Sequence, residues 1–131
     1  PNHNIDIAGK AQEFINHWFE KGFDENSFEF ASQIITADGK VFSRNELLEK
    51  IHYRLDRYKR FTNIKFKGND ISFEWDEKKG KGLGHAEGMF SYDAEIESGE
   101  IIHIAGPFKL YMANETGRWQ IFYFVFPGFV W

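Results

Sequence analysis

Apolar and polar residues alternate along most of the last third of the chain, and the rest of the sequence is organised around this segment. Alternation with a period of two is typical of β-strands that bury one face, and it predicts three strands, over residues 83–96, 101–113 and 118–126. The two breaks, at 97–100 and 114–117, each place a glycine among polar residues, as short hairpin loops require. The segment is therefore predicted to form an antiparallel meander.

The first half of the chain shows helical periodicity instead. Apolar residues recur three and four positions apart over residues 6–21, which predicts an amphipathic helix with Asp6 as its N-cap. A second helix is predicted to begin at Ser43 or Asn45 and to run to about Tyr58. Each helix has one apolar stripe, so each is expected to pack against the sheet.

Three shorter stretches complete the predicted secondary structure. Residues 33–43 are predicted to form a small hairpin around an Asp38-Gly39 turn. Residues 62–76 alternate like a further strand, with an interruption at 68–70 that is typical of a bulge or tight bend. Residues 23–32 are predicted to be a short helical turn or connector. Helices followed by a strand meander indicate an α+β protein.

Composition narrows the class of protein. At 131 residues the chain is predicted to form a single domain, residues 1–131. Its net charge of −4 argues against a nucleic-acid partner, because such domains are usually basic. The absence of cysteine excludes disulfides and thiolate metal sites. Aromatic residues make up 18% of the chain, which indicates large cross-strand contacts or a deep apolar cavity.

The sequence also bears on the location of the protein. No apolar run reaches the roughly 20 residues that a membrane-spanning helix needs, so no membrane partner is expected. No signal peptide is visible, which favours the cytoplasm, although a chain that starts at Pro1 without Met leaves a removed leader open.

Strand register decides which side chains share a face of the sheet. We expect the 97–100 turn to pair Ile96 with Ile101, and the preceding hairpin to place Trp75 opposite Leu83. This register predicts one largely apolar face that the helices cover. Its members are Ile71, Phe73, Trp75, Leu83, His85, Glu87, Met89, Phe108, Leu110, Met112, Trp119, Ile121, Tyr123 and Val125.

The opposite face is strongly aromatic along the last strand, at Phe122, Phe124 and Phe126. Contiguous exposed apolar side chains usually mark an interface. We therefore predict a homodimer that pairs these faces across a two-fold axis. The alternative is that residues 127–131 of the same chain fold back over part of this face.

The order of these elements and two short motifs carry a resemblance to a known family. Asp38-Gly39-Lys40-Val41 stands before the second helix, and Gly117-Arg118-Trp119-Gln120-Ile121 opens the last strand. With the long first helix and the meander, the chain resembles the nuclear-transport-factor-2-like (NTF2-like) superfamily, in particular its SnoaL-like and functionally uncharacterised bacterial branches. The resemblance covers nearly the whole chain.

The resemblance implies a cystatin-like α+β cone. In this fold a strongly curved antiparallel sheet wraps around the N-terminal helices and encloses a pocket, and many members form dimers. The superfamily includes cofactor-free isomerases, dehydratases and cyclases that use Asp, His and Tyr side chains inside the cone. It also includes binding and targeting modules, so the fold does not decide the activity.

The candidate chemistry lies on the face that is expected to line the cone. His85 and Glu87 are two residues apart on one strand, so they project to the same face, where a histidine beside a carboxylate can act as a general base. Tyr123 is the candidate group that orients a substrate carbonyl. The alternative is that all three are structural residues without a catalytic task.

Further residues are candidates for ligand contacts. Asp38 invites comparison with the catalytic Asp of ketosteroid isomerases, but an Asp-Gly turn requires it for structural reasons as well. No converging set of histidines and carboxylates has a metal-site spacing, so no metal and no cofactor are expected. The predicted ligand-binding side chains are Tyr53, Trp75, Met89, Met112 and Trp119.

These observations predict a small-molecule-binding pocket protein of SnoaL-like type. Its partner would be a hydrophobic, carbonyl-bearing compound, and any reaction would be cofactor-free acid–base chemistry such as isomerisation, cyclisation or dehydration. The alternative is a non-catalytic dimeric interaction module that uses the aromatic face for assembly.

Overall fold

The protein has two helices and two antiparallel sheets, as seen in a computed structural model that describes residues 2–131 apart from the side chain of Asn69. The elements are α1 (His3–Glu20), β1 (Gln33–Ile35), β2 (Val41–Ser43), α2 (Arg44–Leu55), β3 (Tyr58–Asp76), β4 (Lys81–Ile96), β5 (Ile101–Asn114) and β6 (Trp119–Val125). Strands β3 to β6 form one sheet in chain order, and β1 pairs with β2. The predicted α+β architecture is confirmed.

The helix boundaries follow from their caps. Helix α1 begins earlier than predicted because Asn2, rather than Asp6, is its N-cap and accepts a hydrogen bond from the Ile5 N–H at 3.1 Å. Helix α2 begins with the predicted capping box, in which Ser43 Oγ accepts from the Glu46 N–H at 3.1 Å. Strand β3 begins at Tyr58, four residues before the predicted start.

Strand β4 is inverted relative to the predicted register. Glu95, rather than Ile96, lies opposite Ile101, and Gly82, rather than Leu83, lies opposite Trp75. Because side chains alternate between faces, a shift of one residue on both sides of β4 turns this strand over and leaves its neighbours in place. The Ile96 N–H donates to Glu100 O at 2.9 Å, which sets the new pairing.

Small residues explain why the pattern of β4 was misleading. In the first half of β4 the inner face carries Gly82, Gly84, Ala86 and Gly88, and bulky side chains follow only at Phe90 and Tyr92. Aromatic side chains from other elements occupy the space above the small residues. A Cβ on Gly84 would lie 2.9 Å from the Trp119 ring. In this half of the strand the larger alternating residues, from Leu83 to Met89, therefore point outward.

The pairing of β5 with β6 contains a bulge that corrects a second prediction. Met112 lies opposite Ile121 but Tyr111 lies opposite Tyr123, so Phe122 is an extra residue. Beyond the bulge Tyr123 points outward, whereas Phe124 and Phe126 are 0% and 2% exposed in the core. These two phenylalanines are thus unavailable to the predicted dimer interface, to which Phe122 alone could contribute.

Aromatic rings fill the space between α1 and the sheet. The Phe14 ring of α1 lies 4.9 Å from the Phe124 ring and 5.2 Å from the Phe126 ring. Deeper along the sheet the Phe90 ring lies 5.3 Å from the Phe108 ring. The interior of the cone is therefore a packed core where these rings meet, and the surface grooves become the places to look for a site.

The last five residues fold back along β6, as the alternative to a dimer anticipated. The Trp131 Nε1–H donates to Phe124 O at 2.8 Å, and the Trp131 ring stacks on Tyr123. The hydroxyl of Tyr92 donates to Pro127 O, and that of Tyr58 donates to Gly128 O at 2.9 Å. Burial raises the pKa of both tyrosines, so both hydroxyls remain protonated donors at neutral pH.

Candidate functional site

The outer face of the sheet has an open groove of about 400 Å³ that His85 lines. The outward residues of β3, β4 and β5 form its walls, and the β6 bulge contributes one ring at its edge. The lining residues are Ser72, Phe73, Glu74, Leu83, Gly84, His85, Tyr111, Met112 and Phe122. Its size suits a small ligand, but it is a surface groove and not the enclosed pocket that was predicted.

A row of four aromatic rings crosses the outer face beside this groove. His85 and Tyr111 are direct cross-strand partners with ring centroids 5.0 Å apart, and Tyr111 and Tyr123 are the next pair at 5.7 Å. The Trp131 ring continues the row 5.3 Å from Tyr123. The tilts between successive rings are 39°, 30° and 24°, so the row offers flat faces for stacking.

The predicted catalytic residues share one face, but it is the outer one. His85 Nε2 lies 3.9 Å from Glu87 Oε2, which is too long for a hydrogen bond and forms an ion pair only when His85 is protonated. Their side chains are 26% and 43% exposed. Tyr123 also points outward and is half-buried. The pair is thus open to water, which weakens its mutual influence.

The predicted ligand-binding residues are divided among three places. Met89 is on the outer face and 49% exposed. Trp75, Met112 and Trp119 lie on the inner face, where Met112 and Trp119 are buried in the core. Tyr53 is 70% exposed on α2, where it lines a separate groove of about 480 Å³. A single pocket formed by all five is therefore not what the fold builds.

Asp38 has a structural role in the turn between β1 and β2. The Thr36 hydroxyl donates to its carboxylate, and this hydrogen bond lowers the pKa of Asp38. Lys40 lies 3.8 Å from the same carboxylate. These contacts stabilise the turn, in agreement with the structural interpretation of the Asp-Gly sequence.

One buried polar pair was missed from the sequence. Glu29, in the connector between α1 and β1, is 0% exposed, and one of its carboxylate oxygens is hydrogen-bonded to Nδ1 of His17 on α1. The other oxygen has no hydrogen-bond partner among the described residues. Residues 23–32 have no periodic pattern, so the sequence gives no indication of which of their side chains are buried. The signal that could have found the pair was the apolar residue on each side of Glu29, Phe28 and Phe30.

Comparison with known proteins identifies the fold. No family model and no curated protein matches the sequence. An NTF2-like protein of unknown function from Exiguobacterium sp. 255-15 has a TM-score of 0.60, 13% identity, and coverage of 90% of this chain and 97% of that one. A candidate dehydratase of the NTF2-like family from Streptomyces avermitilis has a TM-score of 0.63, 11% identity and 91% coverage of both chains.

A third solved structure agrees. An uncharacterised protein with a cystatin-like fold from Caulobacter vibrioides has a TM-score of 0.59 at 12% identity, over 92% of this chain and 85% of that one. The chain therefore has the NTF2-like, cystatin-like fold, as the resemblance implied. At these identities the comparisons establish the fold and not the activity.

The part of the chain that the structure describes shows neither a metal site nor a membrane-spanning helix. Residues 2–131 contain no group of three or more His, Cys, Asp or Glu side chains placed to hold a metal ion. Neither helix is long and apolar enough to cross a membrane.

Proposed function

We propose that the protein is a small-molecule-binding protein of SnoaL-like type whose site is the outer groove at His85. The observation that carries this proposal is the position of His85, which lines a groove of about 400 Å³ and packs against the Tyr111 ring at a tilt of 39°. The ligand would be a flat, largely apolar compound with a carbonyl group. Its rings would lie against Leu83 and Phe122, and its oxygen would face the hydroxyl of Ser72.

Acid–base chemistry at this site would need no cofactor. His85 would accept a proton from the carbon next to the carbonyl, and the nearby Glu87 carboxylate would stabilise the imidazolium that forms. The proton would then return to the adjacent position or to the oxygen, which completes an isomerisation or enolisation. Tyr111 packs against the imidazole ring and would orient it, whereas Tyr123 would contact a longer ligand along the row.

Proton exchange tests this proposal directly. With 2-tetralone as the probe in D₂O, we expect the wild-type protein to accelerate exchange of the protons next to the carbonyl, measured by NMR. His85→Gln should reduce the acceleration roughly tenfold, less than for a buried base because the site is open to water. His103→Gln is the matched control, since His103 also lies exposed on the outer face but outside the groove.

The same exchange experiment can reject a catalytic role for His85. If wild type and His85→Gln exchange the probe at the same rate, and neither shows chemical-shift changes around the groove, then His85 is only a surface side chain. Equal losses in His85→Gln and His103→Gln would also reject the groove, because they would report a change that is not local to it.

The exposed apolar side chains favour a second candidate, a homodimeric interaction module. Leu83 and Met89 are 60% and 49% exposed on the outer face, and Ile101 at one edge of that face is 64% exposed. They are spaced along the sheet, since Ile101 lies opposite Glu95, six residues beyond Met89, so an interface that runs the length of the face would bury all three. Pairing two outer faces across a two-fold axis would cover these side chains.

Sedimentation velocity tests the dimer. We expect wild type to sediment as a dimer and Leu83→Asp with Met89→Asp to sediment as a folded monomer, because the charges would be buried without partners at the interface. Ile5→Asp is the control, since Ile5 is 66% exposed on α1 and away from the outer face. A monomeric wild type, or dissociation in the Ile5→Asp variant, would contradict the proposed interface.

A further inference from the structure

A cluster of aromatic side chains on the inner face of the sheet surrounds the first turn of α1. The imidazole of His3 has ring-centroid distances of 4.3 Å to Trp75, 5.4 Å to Phe73 and 5.6 Å to Trp119. The planes of these three rings are inclined to the imidazole plane by 35°, 63° and 80°, in the same order. We call Phe73, Trp75 and Trp119 the aromatic cage. Its rings stand at inner-face positions, whereas His85 is on the outer face, and of the three rings Phe73 alone also lines the outer groove.

The floor of the cage is the bare backbone of β4. A Cβ on Gly82 would lie 2.8 Å from the Trp75 ring, and one on Gly84 would lie 2.9 Å from the Trp119 ring. Both indoles therefore rest directly on the strand. The Trp75 ring is inclined by only 35° to the imidazole, whereas Trp119 turns its Nε1–H edge towards His3. The cage is incompletely sealed, because Phe73 is 40% exposed although Trp119 is only 2% exposed.

We propose that the aromatic cage is a binding site for a small methylated ammonium compound, and that His3 is the side chain that fills it in this structure. The faces of aromatic rings attract cations, and cages of several rings are the usual recognition site for quaternary ammonium groups. The groove of about 380 Å³ that adjoins Trp75 carries three carboxylates and two ammonium groups. They belong to Glu74, Asp76, Glu115, Lys79 and Lys81.

One polar atom in the cage restricts the chemistry of the ligand further. The Trp119 Nε1–H donates to His3 Nδ1 at 3.1 Å. A ligand that replaces the imidazole must supply an acceptor to this donor, because a buried N–H without a partner is costly. The site is therefore suited to an ammonium compound that also carries a hydroxyl or carboxylate oxygen, which is the chemistry of choline and betaine.

His3 can leave the cage when the first turn of α1 unwinds, while the rest of the helix stays folded. That turn is held by the Asn2 cap at 3.1 Å to the Ile5 N–H, and the Ile5 side chain is 66% exposed. Ile7 is 0% exposed and anchors the remainder of the helix in the core. The ligand binds only the opened cage, so its apparent affinity is reduced in proportion to the open fraction.

Choline and its neutral carbon isostere, 3,3-dimethylbutan-1-ol, form the matched pair of probes. The two have the same shape and hydroxyl group and differ in charge. Binding is followed by the NMR signal of the Trp119 Nε1–H, which is assigned from its loss in Trp119→Phe. We expect His3→Ala to bind choline at least tenfold more tightly than wild type, and to prefer choline over the isostere at least tenfold.

Two further variants keep the test decisive. Asn2→Ala should raise the affinity of the protein for choline by about fivefold, because loss of an N-cap frays the first turn without altering the cage. Ile5→Ala should leave the affinity unchanged, since its side chain is in the same turn but exposed.

Three outcomes would overturn the proposal. Equal affinity of His3→Ala for choline and the isostere would show an apolar pocket without cation recognition. The same choline affinity in wild type and in Asn2→Ala would show that His3 does not fill the site. The absence of choline binding in folded His3→Ala or Asn2→Ala would make the cage ordinary core packing.

Discussion

Replacing Gly88 with alanine is expected to destabilise the protein by roughly 3 kcal/mol. A Cβ at this position would lie 2.3 Å from Gly68 O and 2.6 Å from Phe108 Cε1. A flexible side chain can move away from such an overlap, but Gly68 O belongs to the backbone of the neighbouring strand. The added methyl group must therefore separate β3 from β4 or distort both strands.

The position of Gly88 also explains why the cost should be large. It faces the irregular part of β3 between Lys67 and Asp70, where the register shifts and Gly68 has a φ of +78°. Bulges of this kind bend the strand, and a glycine in a strand often marks a place where another backbone approaches closely. Residue 88 must be small because the backbone of β3 occupies the space that a side chain would need.

Gly106→Ala is the matched control for this prediction. Gly106 is in the adjacent strand, opposite Phe90, and its Cβ would lie 3.6 Å from Pro127 Cβ, an ordinary van der Waals distance. Urea denaturation of both variants should show little change for Gly106→Ala and a much lower unfolding free energy for Gly88→Ala. Similar losses of unfolding free energy in the two variants would mean that the backbones of β3 and β4 are not in close contact at Gly88.

Gly128→Ala is expected to cost a similar amount, about 3 kcal/mol, for two separable reasons. The residue has a φ of +101°, which L side chains rarely adopt. A Cβ would also lie 2.2 Å from the Tyr92 hydroxyl oxygen, which donates a hydrogen bond to Pro127 O. The alanine variant should therefore loosen the attachment of residues 127–131 to the sheet.

Gly117→Ala separates the backbone cost from the clash. Gly117 has a φ of +92°, close to that of Gly128, but no atom lies within 4 Å of its Cβ position. Its alanine variant should lose only about 1–2 kcal/mol, the cost of the positive φ. The difference between the two alanine variants measures the contact with Tyr92.

Tyr92→Phe provides the second check on Gly128. It removes the oxygen that the new methyl group would strike, so the double variant should be less destabilised than the sum of the single variants, by about 1 kcal/mol or more. The measurement is a double-mutant cycle from urea denaturation. Strict additivity would indicate that Gly128 and Tyr92 are not in contact, and that residues 127–131 do not pack against the sheet at Tyr92.

The sequence predicted the secondary structure best where a pattern of apolar residues extends over many positions. Helices α1 and α2 and the meander were predictable because apolar periodicity over ten or more residues reflects burial of one face, which local sequence expresses directly. The capping box at Ser43 and the turns at Gly39, Gly99 and Gly117 were predictable because their chemistry is local. The resemblance to the NTF2-like fold added the arrangement of these elements in space.

The face of the sheet on which each predicted site residue lies could not be predicted from periodicity in the same way. The placement of His85 and Glu87 inside the cone depended on turn lengths, and a one-residue change on each side of β4 reversed it. The first half of the strand gave a false signal because its inner positions, from Gly82 to Gly88, are glycine and alanine, which contribute little to a hydropathy pattern. Tyr123 and Phe124 exchanged faces for a different reason, the bulge at Phe122.

By itself the sequence determined the order of the helices and strands and their α+β class, and its resemblance to the NTF2-like superfamily implied the cone that they form. Tertiary structure alone decided that aromatic rings fill the interior, that His85 lines an outer groove, and that His3 lies among Phe73, Trp75 and Trp119. The physical reason is that periodicity records which residues are buried within one element. The faces on which two elements meet depend on turns, bulges and small residues whose effects appear only when the whole chain is packed.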